Sequence, residues 1–364
     1  MTDEPAGLRD RRLVVRADAT TEVGTGHMMR TLALGQAWTD AGGRVAWFVG
    51  AAPASLLERI EGEGMEVGRV SGRPGSAADA DALREALAAD IGAVAVVDGA
   101  QFDEGFLNAL GDVAGRVMVI DDMADRTAYP VGLLLNQNAH ADRAEYPADA
   151  TCRFLLGTRY VLLRREFVSA PPPRTTPTVA RHLLVTFGGS DPTGMTTKTI
   201  EALRRLPESI RSTIRVRIIV GAANRDEAPI GSAVADPDLG FRATIERGVT
   251  DMPAQMAWAD LAITSGGSTV WELARAGCPA LVVETVPVEG RLVSGLARVG
   301  LFGHLGPGTE LDPRALADEI AAKAEDVAWR AKMSARGMDL IDGKGARRVV
   351  EALADTGRAQ QEVI

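Results

Sequence analysis

The chain has 364 residues, 46% of them hydrophobic, and a formal net charge of -9. That length suits two domains better than one core, the composition is that of a globular protein, and the acidic balance argues against a nucleic-acid partner. No apolar run reaches the length of a membrane span, and MTDEPAGLRDRR at the amino terminus lacks the apolar stretch of a secretory leader. The expected setting is therefore the cytoplasm, with no nucleic-acid or membrane partner.

The first predicted element is a buried strand over Leu13 to Val15. A loop containing Gly24 and Gly26 follows, and a helix begins at His27, with Met28, Leu32, Ala33 and Trp38 at core spacing. Glycines before a helix start let backbone N–H groups approach a phosphate closely. A histidine there stands beside that anion and can move a proton. His27 is thus the leading catalytic candidate. Asp18, just past the strand, is expected to orient His27, to bind a hydroxyl, or simply to close a turn. Arg30, one turn beyond His27, would meet a carboxylate or phosphate, or else solvent. The dinucleotide fingerprint Gly-x-Gly-x-x-Gly is absent, because Met29 stands where its third glycine belongs. The Walker pattern is absent too, since Gly343-Lys344 is followed by Gly345.

Further apolar runs at Val45 to Val49, Ala93 to Val97 and Val117 to Ile120 read as buried parallel strands, with a helix over Ala80 to Ala89. Asp121 and Asp122 end the last run. Paired carboxylates there suit sugar hydroxyls; no third ligand accompanies them, so neither a metal nor a cofactor is expected. Asn138 and His140 close the LLLNQNAH stretch and are candidates to line a ligand site. Residues 168–180, VSAPPPRTTPTVA, read as an extended linker.

Beyond the linker the pattern restarts. His182 to Phe187 is a predicted strand, and Gly188-Gly189-Ser190-Asp191 leads into a helix near Thr193. Strands are predicted at Val216 to Val220, Leu261 to Thr264 and Ala280 to Val283, with a helix over Ser268 to Ala276. The turn Ser265-Gly266-Gly267-Ser268-Thr269 points N–H groups at an anion. Its hydroxyls would either bind phosphate or cap the helix. Trp258 and Trp271 read as core, and His182 and His304 as structural. The two cysteines, Cys152 and Cys278, fall in different halves, which argues against a disulfide or a zinc site; Cys278 reads as a buried thiol. The boundaries implied are a domain over 11–167, the linker 168–180, a domain over 181–345, and a helix with tail over 346–364. Two α/β domains of this kind make a ligand cleft where they face each other.

Taken in order, RADATTEVGTGHMMR, VIDDMADR, LLLNQNAHA, FLLGTRYVLLRREF, FGGSDP, TSGGSTVWELARAGCPALVVE and DGKGARRV resemble the PseG/SpsG-type nucleotide-sugar hydrolases over residues 12 to 350. The best-known members of that family remove UDP from a 2,4-diacetamido-trideoxy-altropyranose. The resemblance implies the GT-B fold of the related MurG-type glycosyltransferases, two Rossmann-like domains facing across a cleft. It implies hydrolysis of a nucleotide-sugar, a UDP-linked amino or deoxy sugar, with His27 as general base on water. It implies sugar contacts from Gly24, Gly26, Arg30, Asp122 and Asn138. The nucleotide would lie on Gly188, Gly189, Ser190, Ser265, Gly266, Gly267, Ser268 and Thr269. Glu272 matches the glutamate that in MurG-like proteins holds the ribose diol, since a carboxylate accepts two hydrogen bonds. One departure is plain: where the resembled proteins carry an Asn-Gln pair after the last strand this chain has Val288-Glu289, so the usual contacts of that pair to phosphate or sugar are not carried over and a different nucleotide-sugar stays open. Glycosyl transfer to a small acceptor, and nucleotide-sugar binding without catalysis, are the competing readings on the same scaffold.

Overall fold

The computed structural model describes residues 8–20, 24–70, 72–169, 174–221, 223–224 and 226–361. Ala170 to Pro173 of the expected linker lie outside the described residues. The chain forms two compact units. The first comprises the chain up to Thr20, His27–Arg165 and the chain from Lys344 onward; the second comprises Thr21–Gly26 and Glu166–Gly343.

The first unit is built on strands β1 (Arg12–Ala17), β2 (Arg44–Val49), β3 (Glu66–Arg69), β4 (Val94–Asp98), β5 (Val117–Ile120), β6 (Leu133–Asn136) and β7 (Arg153–Leu156). They form one parallel sheet in the order β3-β2-β1-β4-β5-β6-β7. Alternation along each strand sends neighbouring side chains to opposite faces. Leu13 and Val15 therefore join one core with Val94, Val96 and Met118, while Val14 joins another with Ala95, Val97 and Val119. Helix α1 (Gly26–Asp40) covers the first face through Met28, Leu32, Leu34 and Trp38. Helices α2 (Ala54–Gly62), α3 (Ala77–Ala88) and α4 (Glu104–Ala109) complete the interstrand connections, α3 and α4 on the second face. Strand order reverses between β1 and β4, and at such a switch point the crevice beyond the strand ends receives ligands in open parallel sheets.

The second unit repeats this plan with β8 (His182–Thr186), β9 (Arg215–Val220), β10 (Arg242–Arg247), β11 (Leu261–Ser265), β12 (Ala280–Glu284) and β13 (Gly303–Pro307), in the order β10-β9-β8-β11-β12-β13. Its helices are α5 (Met195–Arg204), α6 (Glu208–Arg211), α7 (Glu227–Val234), α8 (Met252–Trp258), α9 (Thr269–Arg275), α10 (Glu289–Arg298), α11 (Pro313–Glu325) and α12 (Val327–Leu340). Leu183, Val185, Ile218, Ile263, Leu281 and Val283 form its core with Ile200 and Leu203 of α5 and Leu316 and Ile320 of α11. The chain closes with α13 (Gly345–Gln361), which returns Ala346, Val349, Val350 and Leu353 to the first unit's core.

These are two Rossmann-like parallel sheets, the GT-B fold class. The apolar runs locate the central strands to within a residue or two. The helix expected near Thr193 starts at Met195, because Gly194 takes a left-handed φ of 64° immediately before it. Among the described residues five strands lie outside the expected set: β3, β10 and β13 carry no apolar run, while β6 and β7 carry short ones, Leu133 to Leu135 and Phe154 to Leu156, where the sequence reading places no strand. Trp258 is a correction: it is only half-buried, stacked on His182 at 4.6 Å between ring centroids and covered by the Arg217 guanidinium at 4.0 Å, whereas Trp271 is core as expected. Among the described residues no helix is long and apolar enough to cross a membrane.

Candidate functional site

At the switch point of the first unit, β1 and β4 run side by side, with Ala17 paired to Asp98. Helix α1 begins just beyond β1 and presents His27 in its first turn and Arg30 one turn later. His27 Nδ1 lies 2.7 Å from Asp98 Oδ1. A carboxylate only accepts, so Nδ1 carries the hydrogen and donates it, which makes Nε2 the acceptor nitrogen of the neutral ring. His27 is 24% exposed, whereas Asp98 is fully buried.

Arg30 grips the same carboxylate, with Nε donating to Oδ2 and Nη2 to Oδ1, both at 2.6 Å. Its Nη1 donates to Asp122 Oδ1 at 2.9 Å and stands 2.8 Å from Oδ2. Burial alone would raise the Asp98 carboxyl, but the charges of Arg30 and His27 and their hydrogen bonds outweigh it and hold the group well below the usual carboxylate range. Burial likewise disfavours the Arg30 cation, and Asp122 and Asp98 more than restore it. Asn138 Nδ2 donates to Asp122 Oδ1 at 2.7 Å and lies 3.0 Å from Asn136 Oδ1. His140 donates through Nε2 to the Asp122 carbonyl at 2.9 Å. His27, Arg30, Asp122 and Asn138 thus meet in one network, with His140 at its edge.

Asp18 stands apart from that network and corrects the expectation that it orients His27. Its carboxylate is paired with Arg16 at 2.8 Å and accepts from the backbone N–H of Gly50 and Ala51 and from Gln101 Nε2. It fixes the loop after β2. The partner of His27 is Asp98, which sequence reading missed. The available signal was a carboxylate ending the apolar run of a strand that neighbours β1. Asp121 is also structural, accepting from Met123 N and Tyr129 Oη and pairing with Arg126. Among the described residues no group of three His, Cys, Asp or Glu side chains could hold a metal ion.

In the second unit the candidate loops are made of glycines and hydroxyls. Gly188 has a φ of +71°, open to glycine and costly for other residues. Gly221 lets this loop lie directly on the backbone after β9: a Cβ there would stand 2.3 Å from the Gly188 carbonyl oxygen. Asp191 accepts from the N–H groups of Met195 and Thr196, both at 2.8 Å. The start of α5 is therefore already capped, and only the loop Gly188-Gly189-Ser190 itself remains for a ligand.

Ser265 ends β11 and is buried; Gly266 approaches Val293 so closely that a Cβ would lie 2.6 Å from its Cγ2. Ser268 precedes α9 without a side-chain capping bond. Of the two roles open to its hydroxyl, capping is not the one seen. Thr269 opens α9, and Glu272 lies half-buried in its first turn between the buried Trp271 and Leu273. Glu289, the residue of the departure, turns inward: its Oε2 accepts from Thr285 N at 2.6 Å and Thr285 Oγ1 at 3.0 Å. Burial raises its carboxyl above the ordinary value. Val288 beside it is exposed. His304 is paired with Glu284 at 2.8 Å, and burial pushes the Cys278 thiol up to about 12.

Comparison with known proteins fits this geometry. Residues 183–288, most of the second unit, match the glycosyltransferase family 28 C-terminal domain. The chain is 27% identical over 213 residues to the spore coat polysaccharide biosynthesis protein SpsG of Bacillus subtilis, covering 58% of this chain and 61% of that one. It is 40% identical over 102 residues to a UDP-N-acetylglucosamine–N-acetylmuramyl-(pentapeptide) pyrophosphoryl-undecaprenol N-acetylglucosamine transferase of a Chelativorans species, covering 28% of this chain and 26% of that one. The chain thus spans less than two thirds of the length of these curated relatives. In fold it is similar to Acinetobacter baumannii MurG, with a TM-score of 0.64 at 15% identity over 95% of this chain and 99% of the other.

Proposed function

We propose that the protein hydrolyses a nucleotide-sugar to a nucleoside diphosphate and the free sugar. The observation that supports this most is the His27–Asp98 pair, in which Nδ1 is held at 2.7 Å and Nε2 is left as a base. In the step, Nε2 takes a proton from water while the water oxygen bonds to the anomeric carbon. The bond from that carbon to the diphosphate oxygen breaks, and its electron pair leaves with the nucleoside diphosphate. Proton abstraction of this kind contributes about 10²–10⁴-fold in rate. Gly24 and Gly26 form the turn ahead of the base. Asp122, 28% exposed, is the member of the network best able to meet a sugar hydroxyl, with Arg30 and Asn138 holding it. The diphosphate is assigned to Gly188, Gly189 and Ser190 and to Ser265 through Thr269, and the ribose diol to Glu272. UDP is the first nucleotide to test, because the related transferases are named for a UDP-sugar.

The match to a transferase domain over 183–288 favours a second reading, in which the same base activates a hydroxyl of a small acceptor. One experiment separates them. The protein is incubated with UDP-, CDP-, GDP- and TDP-sugars, with and without hydroxyl acceptors, and both products are quantified. Equal amounts of nucleoside diphosphate and free sugar without acceptor support hydrolysis. Release that requires the acceptor supports transfer. Binding without any release means a non-catalytic binding protein and ends both readings.

A further inference from the structure

His27 and Arg30 converge on a single oxygen. Asp98 Oδ1 lies 2.7 Å from His27 Nδ1 and 2.6 Å from Arg30 Nη2, and these two nitrogens stand 3.2 Å apart. A carboxylate facing only an imidazole would favour the protonated ring with its whole charge. Here a guanidinium already matches that charge in a two-point grip. The guanidinium is itself shared, because its third nitrogen binds Asp122. Two carboxylates and one guanidinium leave one negative charge against a neutral imidazole, and none once the ring takes a proton.

Charged groups reach His27 from three elements. Asp98 comes from β4, Arg30 from α1, and Asp122 from the loop after β5 through Arg30. His140 touches this set at the Asp122 carbonyl. Arg16 and Asp18 at the end of β1 are paired with each other.

We infer that Arg30 and Asp122 are opposed positioning residues for His27: Arg30 locks Asp98 in place and restrains the ring from taking a proton, and Asp122 offsets the charge of Arg30 and restores that tendency. This deepens the proposed function and rests on His27 being its base. It gives Asp122 an electrostatic role besides any hydroxyl contact, and it makes Arg30 a tuning group, not a phosphate ligand.

The test reads the ring directly. The full chain is labelled with ¹³C at histidine Cε1, and each resonance is followed through a pH titration. With four histidines in the sequence, the His27 signal is assigned by its loss in His27→Gln. Arg30→Gln, which removes a charge 3.2 Å from the ring, is expected to raise the His27 midpoint by about one pH unit, and Asp122→Asn, whose charge reaches the ring through Arg30, to lower it by a smaller amount. Arg30→Lys, which keeps the charge, is expected to stay nearer the parent than Arg30→Gln. Shifts in the same direction, or no shift in either variant, overturn the inference. If Arg30→Gln does not fold, the near-isosteric Asp122→Asn decides: a midpoint unchanged or raised overturns it. The acidic limb of kcat/KM is expected to follow each midpoint. Midpoints that move as stated while that limb stays fixed would uphold the tuning and reject His27 as the base.

Discussion

The two units carry one sheet plan and two kinds of candidate site. At the switch point of the first, the candidate groups are charged side chains held against one another: His27 on Asp98, Arg30 across Asp98 and Asp122, Asn138 on Asp122. In the second, the candidate loops offer glycines, hydroxyls and backbone N–H groups, and the carboxylates nearby are engaged in shaping turns, Asp191 at the start of α5 and Glu289 at Thr285. The difference matches what each would do. Moving a proton needs a titratable group whose orientation is fixed by partners. Holding a diphosphate needs many weak donors placed by the backbone, which set affinity and move no proton. Single substitutions should therefore act on rate in the first unit and on affinity in the second.

The largest expected effect tests the first half of that contrast. His27→Asn should lower turnover by about 10²–10⁴-fold while nucleoside diphosphate binding stays close to the parent's. Turnover by steady-state assay and affinity by calorimetry check it. Activity within a few-fold of the parent would remove His27 from the mechanism.

Asp98→Asn comes next, because it unbalances a buried cluster. The variant keeps the shape but removes the charge that faces Arg30 and replaces one of the two acceptor oxygens shared by Arg30 and His27 with an amide donor. Breaking a buried ion pair by removing one partner costs about 3–5 kcal/mol, to be read from denaturant unfolding. The same reasoning gives a pH dependence. Asp98 titrates lower in the folded chain than in the unfolded one, so its contribution is present above the unfolded value and is lost as pH falls toward the folded one. The acid side of the stability profile should be flatter in Asp98→Asn; an unchanged profile would mean that the cluster adds no stability.

These residues also show what was legible in the chain. The central strands were, because burial on both faces demands uninterrupted apolar runs such as Val94 to Val97. The placement of His27 was, because a glycine turn between an apolar run and a helical pattern puts the next residue in the helix's first turn. Asp98 was not: in sequence it is one carboxylate closing a strand, and only the β1–β4 pairing sets it beside His27. Asp18 looked better because it closes β1 itself, yet Arg16 claims it. Edge strands such as β10 alternate polar and apolar residues too weakly to stand out. The sugar, the base and any oligomeric state left no mark, since sugars and bases are read by loop shape and backbone groups that residue types do not specify.

The second half of the contrast is tested by Glu272→Ala. Loss of a pair of charge-assisted hydrogen bonds to a ribose diol should weaken nucleoside diphosphate binding by about 1.5–3 kcal/mol. The loss falls equally on ground and transition states, so it should appear in KM and leave kcat nearly unchanged. Equal affinity in parent and variant would detach Glu272 from the nucleotide and leave the loops of the second unit to act without it.

The smallest expected effect sharpens the comparison within the second unit, at Glu289, the carboxylate at the start of α10. Glu289 is turned into the protein, and burial raises its carboxyl even though Thr285 and Val286 donate hydrogen bonds to it. A group raised on folding favours the folded state while it is protonated in both states. That contribution is present below the unfolded value and is lost as pH climbs through the folded one. Glu289→Gln keeps an acceptor for Thr285 N–H without the charge, so it should gain stability relative to the parent as pH rises from about 4, the unfolded carboxyl range, toward neutrality. Paired denaturant curves at several pH values measure this as a widening difference in the variant's favour. A difference that does not change with pH would mean that Glu289 remains as well solvated in the folded chain as in the unfolded one. The carboxylate would then be accessible to a ligand, and the second unit would present a second charged side chain, in addition to Glu272, to what it binds.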